Sequence, residues 1–454
     1  MDAEDRISRL PDELIGCILS FISTKQAAST SVLSKRWRNV FAIVYNLDLD
    51  DHEAKRDRHG GETSKRFTAF VSNLLNLQGG SCLKKVTLKS HVGVRGFLDR
   101  AHVQNWICNV LDRGVVDLDL VITFLGKILP VFKLNLMSKT LVKLRLGSRF
   151  IIKLCDQDVS LPMLRKLCLY SVDFDGDSNV VGTLLSRCPL LEEFDFEELI
   201  SEEHHPVQIQ WSSPSLKRLR VRFNYDRIIS FDFPNLAFFE LSYELGSKFL
   251  DVKLDSLVEA RLDHRLYRGE LWVTTYGNGI HVDMIHLINA ISNVRVLHLS
   301  SVFLELLCFY RKELPVFNSL VCLSIESDGS RSWGIMPLLI KNTPNLETLV
   351  IKGLKHRSTR TCGDVCFSSG PWRKDRSSFL SASRVKVLEI SDYRDSKNDR
   401  NQMKHFLAKL PCLELVKICA ENKLKVPIDI HRLLTLQRVS PKCKIQVILN
   451  QKNK

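Results

Sequence analysis

No run of eighteen or more apolar residues occurs in this chain of 454 residues, so no membrane-crossing helix is expected. The opening stretch also lacks the basic character of a secretory or mitochondrial leader, because Asp2, Glu4 and Asp5 stand in it. Both absences predict a protein that stays inside the cell, in the nucleus or the cytoplasm, with no membrane partner. Aromatic residues are few, 8% against 44% hydrophobic overall, a composition ordinary for a globular protein with core enough for two or three domains.

Catalytic signatures are missing as well. The sequence has no phosphate-cradling glycine loop with lysine, no Gly-x-Ser-x-Gly elbow and no His-Glu-x-x-His. Thirteen cysteines, an odd number scattered singly at positions such as Cys17, Cys168, Cys188 and Cys322, fit reduced, buried thiols better than a disulfide framework. Cys362 with Cys366, and His204 with His205, would bind zinc only if distant ligands converged on them. No catalytic residue, cofactor or metal is therefore expected.

Charge of one sign is scarce only in part of the chain. The net charge of +14 sits in the C-terminal quarter, where residues 353–454 hold 22 Lys and Arg against 9 Asp and Glu. Such a segment can meet acidic partners or merely be a solvated surface. Without interleaved aromatics or a recognised fold motif, nucleic acid is the weaker reading of it.

What is present begins at the N-terminus. Pro11 suits the first position of a helix, and Asp12 and Glu13 oppose the positive end of its dipole. Leu14, Ile15, Ile18, Leu19 and Ile22 follow at helical spacing. Ser23 or Thr24 can cap a second helix through Ala27, Ala28, Val32 and Leu33, and Ser34 a third carrying Trp37, Val40 and Phe41. Three short helices in about forty residues bury too little to stand alone comfortably, so a partner or the rest of the chain must cover what remains.

From Leu83 onward the template Leu-x-x-Leu-x-Leu returns, most often every 20 to 28 residues. Leu141-Leu144-Leu146, Leu164-Leu167-Leu169, Leu216-Leu219-Val221, Leu320-Leu323-Ile325 and Leu346-Leu349-Ile351 are clear examples, and Val385-Leu388-Ile390 and Leu413-Val416-Ile418 extend the series. That is the period of a leucine-rich repeat, in which each unit gives one short strand and a return segment stacking on its neighbour. Pro-x-Leu steps such as Pro162 to Leu164 and Pro189 to Leu191 mark strand entries, and residues 180–188 read as a return helix packing Val181, Leu184 and Leu185. The strand template turns two residues per unit outward. Among them Arg145, Asp195, Arg220, Glu240 and Arg261 are expected to contact a target. Strands ~4.8 Å apart make a surface long enough for a protein, and its alternating charge suits a polypeptide better than a phosphate backbone.

Three stretches carry a resemblance. Leu10-Pro11-Asp12-Glu13-Leu14, Ile18-Leu19-Ser20-Phe21-Ile22 and Ser31-Val32-Leu33-Ser34-Lys35-Arg36-Trp37 together resemble the F-box, in a form close to plant members. Residues 371–449, from Pro371-Trp372 through Leu388 to Tyr393, Met403 to Leu407 and Leu413 to Ile418, resemble the FBD domain of plant F-box proteins, although Arg373 to Leu380 depart from its usual entry. Read from the residues alone, this last part is strand 385–390, helix 401–410, strand 413–418 and strand 444–449, a cap for the open end of a solenoid.

The expected organisation is an α/β chain: a three-helix F-box at 4–50, a linker and lead-in at 51–80, an irregular leucine-rich-repeat solenoid at 81–353, a loop at 354–370 and an α+β FBD-like cap at 371–449. The resemblance implies a non-catalytic substrate receptor of an SCF ubiquitin ligase, docking a Skp-type adaptor and through it cullin and RING subunits. Carried over position by position, the adaptor-facing residues are Leu10, Pro11, Leu14, Ile18, Leu19, Val32, Leu33 and Trp37. The target is an unidentified protein. Two alternatives stand beside this reading: an interaction scaffold not engaged with a cullin, and a nucleic-acid binder acting through the basic C-terminal quarter.

Overall fold

A computed structural model describes residues 7–51, 61–77, 82–92, 100–124, 130–154, 159–174, 180–199, 207–244, 247–265, 284–329, 332–367, 379–421 and 430–450. The pair His204 and His205, the Pro371-Trp372 entry and most of the 51–60 linker lie outside the described residues. The chain divides into two compact units, Met1–Asn224 and Tyr225–Lys454.

The first unit opens with α-helices Asp12–Leu19, Thr24–Ser29 and Lys35–Phe41. Pro11, with φ of −54°, precedes the first, and its carbonyl accepts from the amides of Leu14 and Ile15. Ser23 caps the second in a capping box with Gln26, and Ser34 caps the third through the amide of Trp37. Val32 lies outside the second helix, in a 3-10 turn at Thr30–Val32. Arg36 ties the helices together: its Nε donates to Asp12 Oδ1 at 2.8 Å and its Nη2 to the Leu10 carbonyl.

These helices pass directly into the sheet. Strand Asn46–Asp50 pairs in parallel with Lys85–Val92, the amide of Asp48 donates to Thr24 Oγ1 at 2.7 Å, and that of Tyr45 to Ser20 Oγ at 3.1 Å. The ladder therefore begins one rung earlier than the template reading from Leu83. Buried Leu47 and Leu49 occupy the inward positions. Parallel pairing then continues through Asp117–Phe124, Lys143–Lys153, Lys166–Asp173, Glu193–Glu198 and Arg218–Arg222. The repeat leucines stack rung on rung on the inner side, with Leu144, Leu167, Phe194 and Leu219 all about fully buried, which is the main source of stability in a stacked array.

The return segments are not uniform. Arg100–Asp112 and Val180–Ser186 are helices, the latter burying Val181, Leu184 and Leu185 as expected. The lead-in expected at 51–80 contains a 17-residue helix, Gly61–Leu77, whose Val71, Leu74 and Leu75 are buried. Trp106 reaches it from the next helix, donating its Nε1 hydrogen to Ser72 Oγ at 3.0 Å.

In the second unit, Phe238–Glu244, Glu259–Arg265, Val296–Leu299, Cys322–Glu326 and Thr348–Lys352 likewise pair in parallel, strand on strand. Here the returns include strands Arg227–Asp232 and Lys248–Lys253, paired in parallel, as well as helices Ile285–Ala290, Ser301–Leu307 and Met336–Lys341. Residues read from the sequence as an α+β cap place their strands Val387–Tyr393, Leu415–Glu421 and Lys444–Asn450 in this one ladder, as further parallel rungs. Within the 354–370 stretch, Arg360–Val365 is a 3-10 helix with buried Cys362, Asp364 and Val365. Gln402 and His405 of the helix Lys397–Lys409 hold it, bonding to the carbonyls of Val365 at 2.7 Å and Asp364 at 2.6 Å.

Candidate functional site

Two surfaces of the first unit collect all the residues singled out from sequence for adaptor or target contact except Glu240 and Arg261, which belong to the second. On the N-terminal helices the apolar stripe splits into two faces. Ile15 and Leu19 turn inward, 1% and 3% exposed, while Leu14 and Ile18, four residues apart, are each 51% exposed. Gly16 lies on the inner face because the chain packs there, and a Cβ on it would come within 3.2 Å of the Ile43 side chain.

Val32 and Leu33 are exposed at 84% and 65%, Pro11 is exposed, and Leu10 and Trp37 are half-buried. Leu19 is thus a core residue of the helices. Phe21, 84% exposed, belongs with the outward set: it lies past the last residue of the helix, Leu19, yet keeps the i, i+4, i+7 spacing of Leu14 and Ile18, a signal the expected set of adaptor-facing residues does not use. Exposed apolar side chains this numerous on so few residues mark an interaction surface rather than ordinary scatter.

The second surface is the outward face of the sheet. Parallel register places Asp119, Arg145, Cys168, Asp195 and Arg220 side by side on successive strands. Of the expected target residues, Arg145, Asp195 and Arg220 are thereby brought together. Asp195 accepts from Arg220 Nη1 at 3.0 Å and from the Tyr170 hydroxyl at 3.3 Å. Arg145 lies over the Tyr170 ring at 5.0 Å and stands 3.7 Å from Asp119. Lys166 Nζ donates to Glu193 at 2.6 Å, which holds the Glu193 carboxyl below its ordinary range and raises the Lys166 ammonium.

These strands border a groove of about 360 Å³ lined by Lys85, Asp117, Asp119, Lys143, Arg145 and Tyr170 among others. Burial raises the Asp119 carboxyl, partly opposed by Arg145, and pushes the Cys168 thiol up to about 11 with Asp195 adding to the effect. Burial likewise raises the Tyr170 phenol. Tyr170 sits one outward position beyond the two that the repeat template names, so the sequence reading passed over it.

In the second unit Glu240 and Arg261 are register partners, and His298 follows them. Arg261 pairs with Glu259 at 2.8 Å and covers the Phe238 ring at 5.4 Å. Cys366 Sγ lies 2.9 Å from His356 Nε2, whose ring stacks on Trp333 at 3.8 Å, while Cys362 Sγ takes the amide hydrogen of Thr359. Among the described residues no group of three or more His, Cys, Asp or Glu is arranged to hold a metal ion. The described cysteines are all free thiols; Cys17, Cys82 and Cys412 are exposed rather than buried.

Comparison with known proteins places both surfaces in context. Residues 7–48 match the family model described as the F-box domain, and residues 103–253 match the model described as the leucine-rich repeats of FBD-associated F-box protein At5g56370. Over its whole length the chain is 54% identical to F-box/LRR-repeat protein At2g42730 of Arabidopsis thaliana, covering 100% of both. It is 54% identical to F-box/LRR-repeat protein At2g42720 of the same plant, over 98% of this chain and 100% of that one. A third Arabidopsis protein, F-box/LRR-repeat protein At4g14096, is 38% identical across 98% of this chain and 95% of its own length.

Proposed function

The chain belongs to the F-box/LRR-repeat family, and from that premise we propose that it is a substrate receptor of an SCF-type ubiquitin ligase. In this reading the N-terminal helices dock a Skp-type adaptor, which carries the cullin and RING subunits. The sheet face of the repeats holds the target protein. The receptor supplies proximity and orientation, and other subunits carry the chemistry. We take residues 4–50 as the three-helix F-box, 81–353 as the repeats and 371–449 as an FBD-like cap, in a protein that works inside the cell.

The observation that carries the proposal is the outward apolar set, Leu14, Ile18, Phe21, Val32 and Leu33. Their exposure has no counterpart in the packing of the helices themselves, and an adaptor helix bundle is a partner able to cover it. Among the described residues no helix is long and apolar enough to cross a membrane, so a lipid core does not account for the set through such a helix.

Purified adaptor tests it. The intact chain should bind, and Leu14→Asp with Ile18→Asp should weaken binding by at least a hundredfold while leaving the unfolding midpoint nearly unchanged, because both positions are half exposed. Undiminished binding by the double variant would remove these residues from the interface.

A further inference from the structure

The cations on the sheet face of the first unit fall into two groups. Three of those beside the acidic strand Glu193–Glu198 hold a carboxylate: Lys166 holds Glu193 at 2.6 Å, Arg220 holds Asp195 at 3.0 Å and Arg222 holds Glu197 at 3.4 Å. The carboxylates at that end are thus already engaged by neighbouring cations.

Across the Cys168 and Tyr170 rung the arrangement changes. Lys85 and Lys143 are exposed and line the groove, and among the described residues neither has an ion pair. Arg145, half exposed, makes no hydrogen bond among the described residues; it rests on Tyr170 and reaches Asp119 only at 3.7 Å. In the lining on this side the acids are Asp117 and Asp119, against three cations with unused donors; the exposed Asp48 and Asp50 stand outside it, on the strand paired with that of Lys85. Asp119 lies deeper, its side chain 19% exposed. On this side of its lining the groove thus holds three cations with donors to spare against two carboxylates.

We propose that this groove docks an acidic segment of polypeptide, with aspartate or glutamate carboxylates seated against Lys85, Lys143 and Arg145. The inference rests on the receptor reading and names the chemistry of its target. Arg145, steadied by the Tyr170 ring and with its fork of donors unspent, supplies directed hydrogen bonds, and the two lysines supply attraction at longer range. The paired cations Lys166, Arg220 and Arg222 set the boundary, because a ligand there would have to displace an existing carboxylate. A basic segment would meet unpaired lysines first and be repelled.

The experiment uses the full chain in the presence of adaptor. Fluorescein-labelled decapeptides are titrated by anisotropy: one rich in glutamate and aspartate, one of the same length rich in lysine, and one neutral apart from a single phosphoserine. The acidic peptide should bind, with affinity falling as salt rises. Lys85→Glu with Lys143→Glu should lower that affinity at least tenfold, Lys85→Arg with Lys143→Arg should retain it, and Lys341→Glu in the second unit should leave it unchanged. Matched unfolding midpoints confirm that the variants are folded. Equal binding of the lysine peptide, binding of the phosphopeptide alone, or indifference to the double charge reversal would overturn the assignment. Binding of the acidic peptide by a chain that cannot bind adaptor would support the groove and contradict the receptor reading, and the reverse pattern would do the opposite.

Discussion

At the scale of single residues, backbone and burial set constraints that the repeat template hides. Gly353 has a φ of +76°, and a Cβ there would lie 2.8 Å from the Ser327 carbonyl oxygen. Gly353→Ala should therefore cost roughly 1–3 kcal/mol, read as a lowered midpoint in thermal or urea unfolding. The buried thiols give a pH signature. Burial raises Cys168 from the ordinary 9.0 to about 11 and Cys188 from 9.0 to about 12. The folded chain thus keeps protons that the unfolded chain releases, so stability is full below about pH 9 and falls as pH rises toward 11 and 12. Alkylation at pH 8 should label the exposed Cys17, Cys82 and Cys412 quickly and leave Cys168 and Cys188 unreacted until unfolding. The template named Arg145, Asp195 and Arg220 as outward. It could not say that Asp195 and Arg220 spend themselves on each other, because a strand pattern contains no information about which side chain on the next strand lies within reach.

At the scale of elements, the sequence was legible wherever apolar alternation was strong and less so where polar residues begin an element. The strands around Leu144, Leu167, Leu219 and Leu349 stand where their spacing puts them. The helix expected at 401–410 instead starts at Lys397, because Ser396 and Asp399 form a capping box ahead of the apolar stripe. Ser396→Ala should destabilise the fold by about 1 kcal/mol, seen as faster amide exchange in that helix before the neighbouring strands respond. The helix Gly61–Leu77 was hidden by its Gly-, Arg- and Ser-containing start, although Val71, Leu74 and Leu75 carry helical spacing. The return strands of the middle repeats fall outside the Leu-x-x-Leu-x-Leu template, although Val207–Ser212 alternates apolar and polar residues along its whole length. Its Trp211 nevertheless joins Phe194, Phe196 and Phe223 in one aromatic cluster with ring centroids 5.3 to 6.1 Å apart. Phe194→Ala empties a fully buried site and should cost roughly 3–5 kcal/mol, enough to unfold much of the first unit at 37 °C.

At the scale of the whole molecule, the first unit carries two chemically different surfaces. The N-terminal helices expose leucine, isoleucine, valine and phenylalanine. The sheet face a few strands away exposes lysine and arginine. The first was readable from sequence as a pattern shared with a family, and Leu14, Ile18, Val32 and Leu33 are indeed exposed; the inward turn of Leu19, the half-burial of Leu10 and Trp37 and the exposure of Phe21 required the fold. The second was readable as a face but not as a charge distribution, because the pairing that cancels one half of it and spares the other exists only once the strands are in register. If the proposed receptor role holds, the chain assembles with the ligase, and assembly is measured by mixing the full chain, a Skp-type adaptor and a cullin–RING pair and resolving them by size-exclusion chromatography with mass measurement. One complex with a single copy of each subunit is expected, from which the Leu14→Asp, Ile18→Asp chain is absent; a chain that binds adaptor yet never co-elutes with the cullin would rule the receptor role out.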